Sequence, residues 1–222
     1  MENQLPEPVG LSPKLRLRIE ALSDLVFGLA LSLGAFVLIS KPTLTPDDLA
    51  RGIGSFAFSF LIVVWIWSGY TRTMAILPFE IRGTYLLNLI LLFCVAIEPY
   101  LLYVLFSGPL DLLNFASTVY ALDAGAMMLI LAGLVYLLLG EEKKRDTRRL
   151  HPLHLARLTR VMRAETASGV LFILSALPLA WIEVPGDFPS PFLRFDLWYA
   201  NFAVFFLIGR LRRDALSPGD EL

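Results

Sequence analysis

The chain has 222 residues, 56% of them hydrophobic and 18% charged, with a mean hydropathy of +0.66 and a formal net charge of -1. That is more apolar surface than one soluble core of this length can enclose, which excludes a soluble globular domain and identifies an integral membrane protein. The single Cys94 sits in an apolar run and excludes both a disulfide framework and a cysteine metal site.

Residues 1–12 are polar and proline-containing and read as a short disordered tail, too polar for the apolar core of a signal peptide. Ser12 can cap a helix with Pro13 at its first position, where the missing proline N–H costs nothing. This first helix runs to about Ser40, and Lys41 and Pro42 stop it. It carries no charge from Leu25 to Ser40, enough to reach most of the way across a hydrocarbon core about 30 Å thick. Along it Leu22, Leu25, Leu29, Ser32, Leu33 and Phe36 share one face, a stripe whose simplest use is helix packing.

Thr45, Pro46, Asp47 and Asp48 repeat the cap-and-acid start signal, and a second span follows from about Ile53 to Tyr70, with Arg72 at its far end. Pro78, Glu80, Arg82 and Gly83 connect it to a third span, Tyr85 to about Phe106, which contains Asn88 and the pair Glu98-Pro99. Ser107, Gly108, Pro109 and Asp111 form the next turn. The fourth span, about Ala116 to Leu139, holds Asp123. The long charged segment from Glu141 to Arg163 reads as a solvated or headgroup-facing helix start leading into the fifth span, about Ala164 to Trp181. Three prolines and a glycine between Glu183 and Asp196 then forbid a continued helix. The sixth span, about Leu197 to Ile208, finishes at Arg210.

Six spans put both termini on one side. Sixteen of the 19 Lys and Arg residues fall on that side, against Lys41, Arg51 and Arg194 on the other, so the positive-inside rule makes the termini cytoplasmic. The basic segment beside the spans reads as an orientation signal touching anionic lipid, not as a nucleic-acid patch.

Ionisable groups within spans are expensive. Arg18 and Asp24 are six residues apart, so neither meets the other on one helix, and each is expected to pair with another helix at the cytoplasmic end. Glu98 and Asp123 read either as ion or proton sites or as residues near the outer interface. His151 and His154 flank Pro152 outside the spans and make a poor metal pair. No nucleophile triad, H-E-x-x-H, P-loop or dinucleotide fingerprint occurs, so nothing suggests an enzyme.

Three stretches carry a family resemblance. Arg18 to Asp24, RIEALSD, resembles the R-x-x-x-F-S-D signature that opens the TMEM175 potassium channel family, in its prokaryotic single-repeat form. Ser59 to Arg72, SFLIVVWIWSGYTR, is similar to that family's S-F-x-x-x-x-x-x-W-x-x-H-H-R, and Tyr85 to Pro99 to its L-L-x-x-N-L-x-L-L-F-x-x-x-x-P run. Leu22 stands where the family has Phe, and Tyr70 and Thr71 replace its paired histidines. Arg18, Ser23, Asp24, Trp67 and Arg72 remain as a motif network.

The resemblance implies an all-α membrane channel with six transmembrane helices per subunit, assembled around a central pore lined by the first helix. It implies a transmembrane channel domain over 13–213 between cytoplasmic tails 1–12 and 214–222. Leu29, with Leu33 and Phe36, would form the pore constriction, and Ser32 stands where the family has a Thr implicated in ion preference. One pore helix cannot enclose a pathway, so a homotetramer in the cell membrane is implied, with small residues Gly28, Ala30, Gly34 and Ala35 allowing close approach. Permeant potassium and other monovalent cations are expected, and no cofactor. The rival readings are a proton-coupled transporter or proton-permeable pore using Asp24, Glu98 and Asp123, and a membrane scaffold in which every stripe is packing.

Overall fold

The computed structural model describes residues 13–40, 45–77, 81, 83–144, 151–182 and 192–201. Both tails, the Lys41-Pro42 stop, Pro78, Glu80, Arg82, residues 145–150 of the basic segment, most of the proline-rich loop, the end of the sixth span and Arg210 to Arg213 lie outside the described residues.

Every regular element among the described residues is helical: α1 Pro13–Ser40, α2 Pro46–Met74, α3 Thr84–Ser107, α4 Leu113–Lys144 and α5 Pro152–Ser175, followed by α6 over 193–201. Short 3-10 turns at Leu110–Leu112 and Pro178–Trp181 precede α4 and follow α5. Among the described residues, four stretches are long and apolar enough to cross a membrane: Leu17–Phe36, Pro46–Met74, Thr84–Phe106 and Leu113–Lys144. The apolar part of the fifth segment is split between the second half of α5 and the turn that ends at Trp181.

Helix starts follow local chemistry. The Thr45 hydroxyl accepts from the Asp48 N–H at 3.1 Å and donates to the Asp48 carboxylate at 2.8 Å, with Pro46 and two acids in the first turn. Gly83 precedes α3 with φ 97°, a left-handed conformation that only glycine adopts without strain. α5 begins twelve residues before the expected span: Pro152 takes the first position and the His151 ring nitrogen Nδ1 accepts from the Leu153 N–H at 3.4 Å. His151 thus serves as the helix cap, with His154 in the first turn. α4 likewise runs five residues beyond Leu139, to Lys144.

α4 is the central helix, packed against α5, α3 and α2, while α1 lies on α3 and α2. Its core side chains, among them Tyr120, Met127, Met128, Leu131 and Leu134, meet Ile62 and Ile66 from α2 and Leu91 and Val95 from α3 in one apolar cluster. α4 and α5 cross at a glycine pair. A Cβ on Gly125 would lie 3.0 Å from the Gly169 carbonyl, and one on Gly169 would lie 3.0 Å from the Gly125 carbonyl, so the backbones approach as closely as small residues permit. α6 is tied to α5 by Ser168 and Asn201, whose side chains bond at 2.7 Å, and by Trp198, which packs on Phe172.

Candidate functional site

α1 has two unlike faces. Ser23, Phe27, Ala30 and Gly34 turn inward and are buried. Leu22, Leu25, Leu29, Leu33 and Phe36 are between 45 and 66% exposed, and Ser32 is exposed among them. The helical stripe singled out from the sequence is therefore a side that no other element among the described residues covers. Leu31, about 160° around the helix from Leu29, is half-buried and packs on the core. The Ser32 hydroxyl donates to the Gly28 carbonyl at 2.8 Å. Its proton is thereby engaged within the helix, and its oxygen offers only lone pairs outward. Of the four small residues expected to face neighbouring subunits, Ala30 and Gly34 are used inside the subunit, Ala35 is half-buried and Gly28 is exposed.

Part of the motif network assembles at one end of this helix. The Trp67 indole N–H donates to Asp24 Oδ1 at 3.2 Å, which ties α2 to α1. Ser23 donates to the Ile19 carbonyl at 2.9 Å and accepts from the Tyr70 hydroxyl at 2.7 Å, in a buried contact. Tyr70 also packs its ring on Phe27, with centroids 5.6 Å apart. Tyr70, one of the two residues that stand where the resemblance expects paired histidines, thus makes an α1–α2 contact of its own. Arg18 and Arg72 are exposed and join no hydrogen bond or ion pair among the described residues, so the expected interhelical pairing holds for Asp24 and not for Arg18.

The interior acids form a separate group. Glu98 is fully buried, with its carboxylate between α2, α3 and α4. It accepts from the Ser59 hydroxyl at 2.9 Å and from the Tyr120 hydroxyl at 3.2 Å. Asp123, one turn after Tyr120, is buried beside the Cys94 thiol, itself one turn before Glu98. Neither acid meets Asp24, which stays on the exposed side of α1.

Arg194 makes an extensive set of polar contacts among the described residues and was counted from sequence only as an outer cation. It is buried to 1% exposure, with Nε donating to the Ser175 carbonyl at 2.8 Å and Nη1 to the Asn114 carbonyl, the Asn114 side chain and the Ser117 hydroxyl at 2.6–3.0 Å. Its guanidinium also lies 5.1 Å from the Trp181 ring. These acceptors come from the start of α4 and the C-terminal end of α5, whose dipole favours a cation. No spacing in the sequence announces this clasp, because its partners lie up to 80 residues away.

No family model matches the chain, and no curated protein matches it by sequence. Among solved structures, a crystal structure of a variant of the potassium channel MtTMEM175, in complex with a nanobody–MBP fusion protein, aligns with a TM-score of 0.55 at 21% identity. The alignment covers 93% of this chain and 100% of that one. This chain has a TMEM175-like fold.

Proposed function

We propose that the chain is one subunit of a homotetrameric, potassium-preferring cation channel of the cell membrane, with both termini cytoplasmic and α1 of each subunit lining a central pore. The observation that carries this reading is the uncovered stripe of α1 in a TMEM175-like fold. In a ring of subunits Leu29 closes the narrowest layer, Leu33 and Phe36 form further apolar layers one and two turns outward, and Ser32 presents hydroxyl oxygen to a partly dehydrated ion. Such a constriction selects and gates by controlling whether water and ions wet it, without a carbonyl filter. Ser23 and Asp24, through their contacts to Tyr70 and Trp67, hold the cytoplasmic end of the pore helix, and Arg18 and Arg72 add exposed positive charge at that end. No cofactor is required.

The test is flux of potassium and sodium in liposomes. Leu29→Ala widens and wets the constriction, so potassium flux rises several-fold and the preference over sodium falls. Leu31→Ala, on the packed side, changes either quantity by far less. Equal behaviour of the two variants removes the pore assignment. A carrier relaying protons through Asp24, Glu98 and Asp123 is the weaker reading, since Asp24 bonds Trp67 at the exposed surface while Glu98 is enclosed by Ser59 and Tyr120; saturating, proton-coupled flux is its signature.

A further inference from the structure

The side of α5 turned away from the bundle changes character along its length. Its packed side is formed by Glu165, Ser168, Gly169 and Phe172, all buried against the bundle. On the opposite side Ala167, Val170 and Leu174 are exposed and apolar, and Arg160 and Arg163 continue the same strip one to two turns toward the N-terminus. At 100° per residue, Arg160, Arg163, Ala167, Val170 and Leu174 fall within about 80° of one another. Neither arginine joins an ion pair among the described residues, and the nearby acids are turned away: Glu142 and Glu165 are buried, and Glu141 bonds Lys144 at 2.9 Å. Among the described residues, the strip therefore presents uncompensated positive charge above an apolar track.

The dimensions match one lipid. From Arg163 to Leu174 the helix rises about 16 Å, close to half of a hydrocarbon core about 30 Å thick. We propose that Arg160 and Arg163 hold the phosphate of an anionic phospholipid whose acyl chain lies along Ala167, Val170 and Leu174. This is a bound lipid at a defined strip of α5, beyond the general attraction of a basic segment to an anionic leaflet. Guanidinium groups suit it because they make paired hydrogen bonds to phosphate oxygens at a site partly removed from water.

The full-length protein is reconstituted in phosphatidylcholine vesicles doped with chain-spin-labelled phosphatidylglycerol or phosphatidylcholine, and the motionally restricted fraction is read by electron paramagnetic resonance. A headgroup-level cation contributes roughly a fivefold attraction for an anionic lipid, so phosphatidylglycerol is expected to be preferred by about fivefold or more. The double substitution Arg160→Gln, Arg163→Gln is expected to bring that preference down to near unity, and a Val170→Trp change to lower the restricted fraction without touching the charges. Inorganic phosphate added at constant ionic strength leaves the fraction unchanged. The proposal is overturned if the wild-type protein does not distinguish the two lipids, if the double variant keeps the preference, or if aqueous phosphate displaces the labelled lipid. Because both arginines are exposed, the variant keeps its packing contacts, and size-exclusion elution at the wild-type volume confirms that it is assembled.

Discussion

Single side chains decide whether the interior of this subunit is polar by design or by default, and Glu98 is the clearest instance. A carboxyl group in the middle of a helix bundle costs several kcal/mol unless its oxygens are occupied, and here two hydroxyl groups from two other helices occupy them. Both Ser59 and Tyr120 contact Oε1, so a carboxamide oxygen in the same position can accept from both. Glu98→Gln should therefore melt near the wild type in detergent. Glu98→Ala removes the acceptor and leaves a cavity, and should cost on the order of 2–4 kcal/mol. Comparing thermal unfolding midpoints checks this, and an alanine variant as stable as the glutamine variant would show that the three side chains do not act as a unit. Tyr70 works by the same logic at the α1–α2 contact. Its hydroxyl and ring engage Ser23 and Phe27 together, so a residue unlike the histidine of the motif still locks α1 to its neighbour.

Helices in a membrane gain little from excluding water, so their approach depends on shape, and the α4–α5 crossing shows how little room there is. A Cβ on Gly125 would fall 2.8 Å from Ile173 Cδ1 as well as 3.0 Å from a backbone carbonyl, whereas one on Gly133 of the same helix would meet only the Leu87 side chain at 3.5 Å. Gly125→Ala is thus expected to destabilise by about 1–3 kcal/mol and Gly133→Ala by much less. Thermal unfolding of the two variants in one detergent decides it, and equal losses would mean that α4 and α5 can separate at no cost. The elements themselves were largely legible in the sequence. α1 and α3 match their expected bounds because Pro13 and Gly83 punctuate the chain and the spans between carry few polar groups. The longer α4 and early α5 were less so, since hydropathy ends a span where charge begins while a helix continues into the headgroups. The stripe of α1 was legible as a face, but its exposure was not, because periodicity says which residues share a side and not what covers it. Arg194 was not legible at all: a cation in a proline-rich loop reads as solvated until α4 and α5 bring their carbonyl groups to it.

At the scale of the molecule, the helices sort the charges by end. The Tyr70–Ser23 contact brings the end of α2 to the first turns of α1, and Gly69 lies 3.3 Å from Glu165 through its would-be Cβ, which brings α5's charged half to the same level. Arg18, Arg72, Lys143, Lys144, Arg157, Arg160 and Arg163 all belong to that end. Arg194 lies at the other, against the start of α4. A strongly positive end and an end with few cations are the condition under which the positive-inside rule orients a multispanning chain. An even number of crossings then returns the C-terminus to the side of the N-terminus. With Cys94 replaced by alanine, single cysteines at Ser12 and Ser217 should be labelled by a membrane-impermeant maleimide only from the cytoplasmic side, and one at Ser107, the last residue of α3, only from outside. If Ser12 and Ser107 are labelled from the same side, α1, α2 and α3 do not make three crossings, and a pore lined by α1 loses the bilayer geometry it requires.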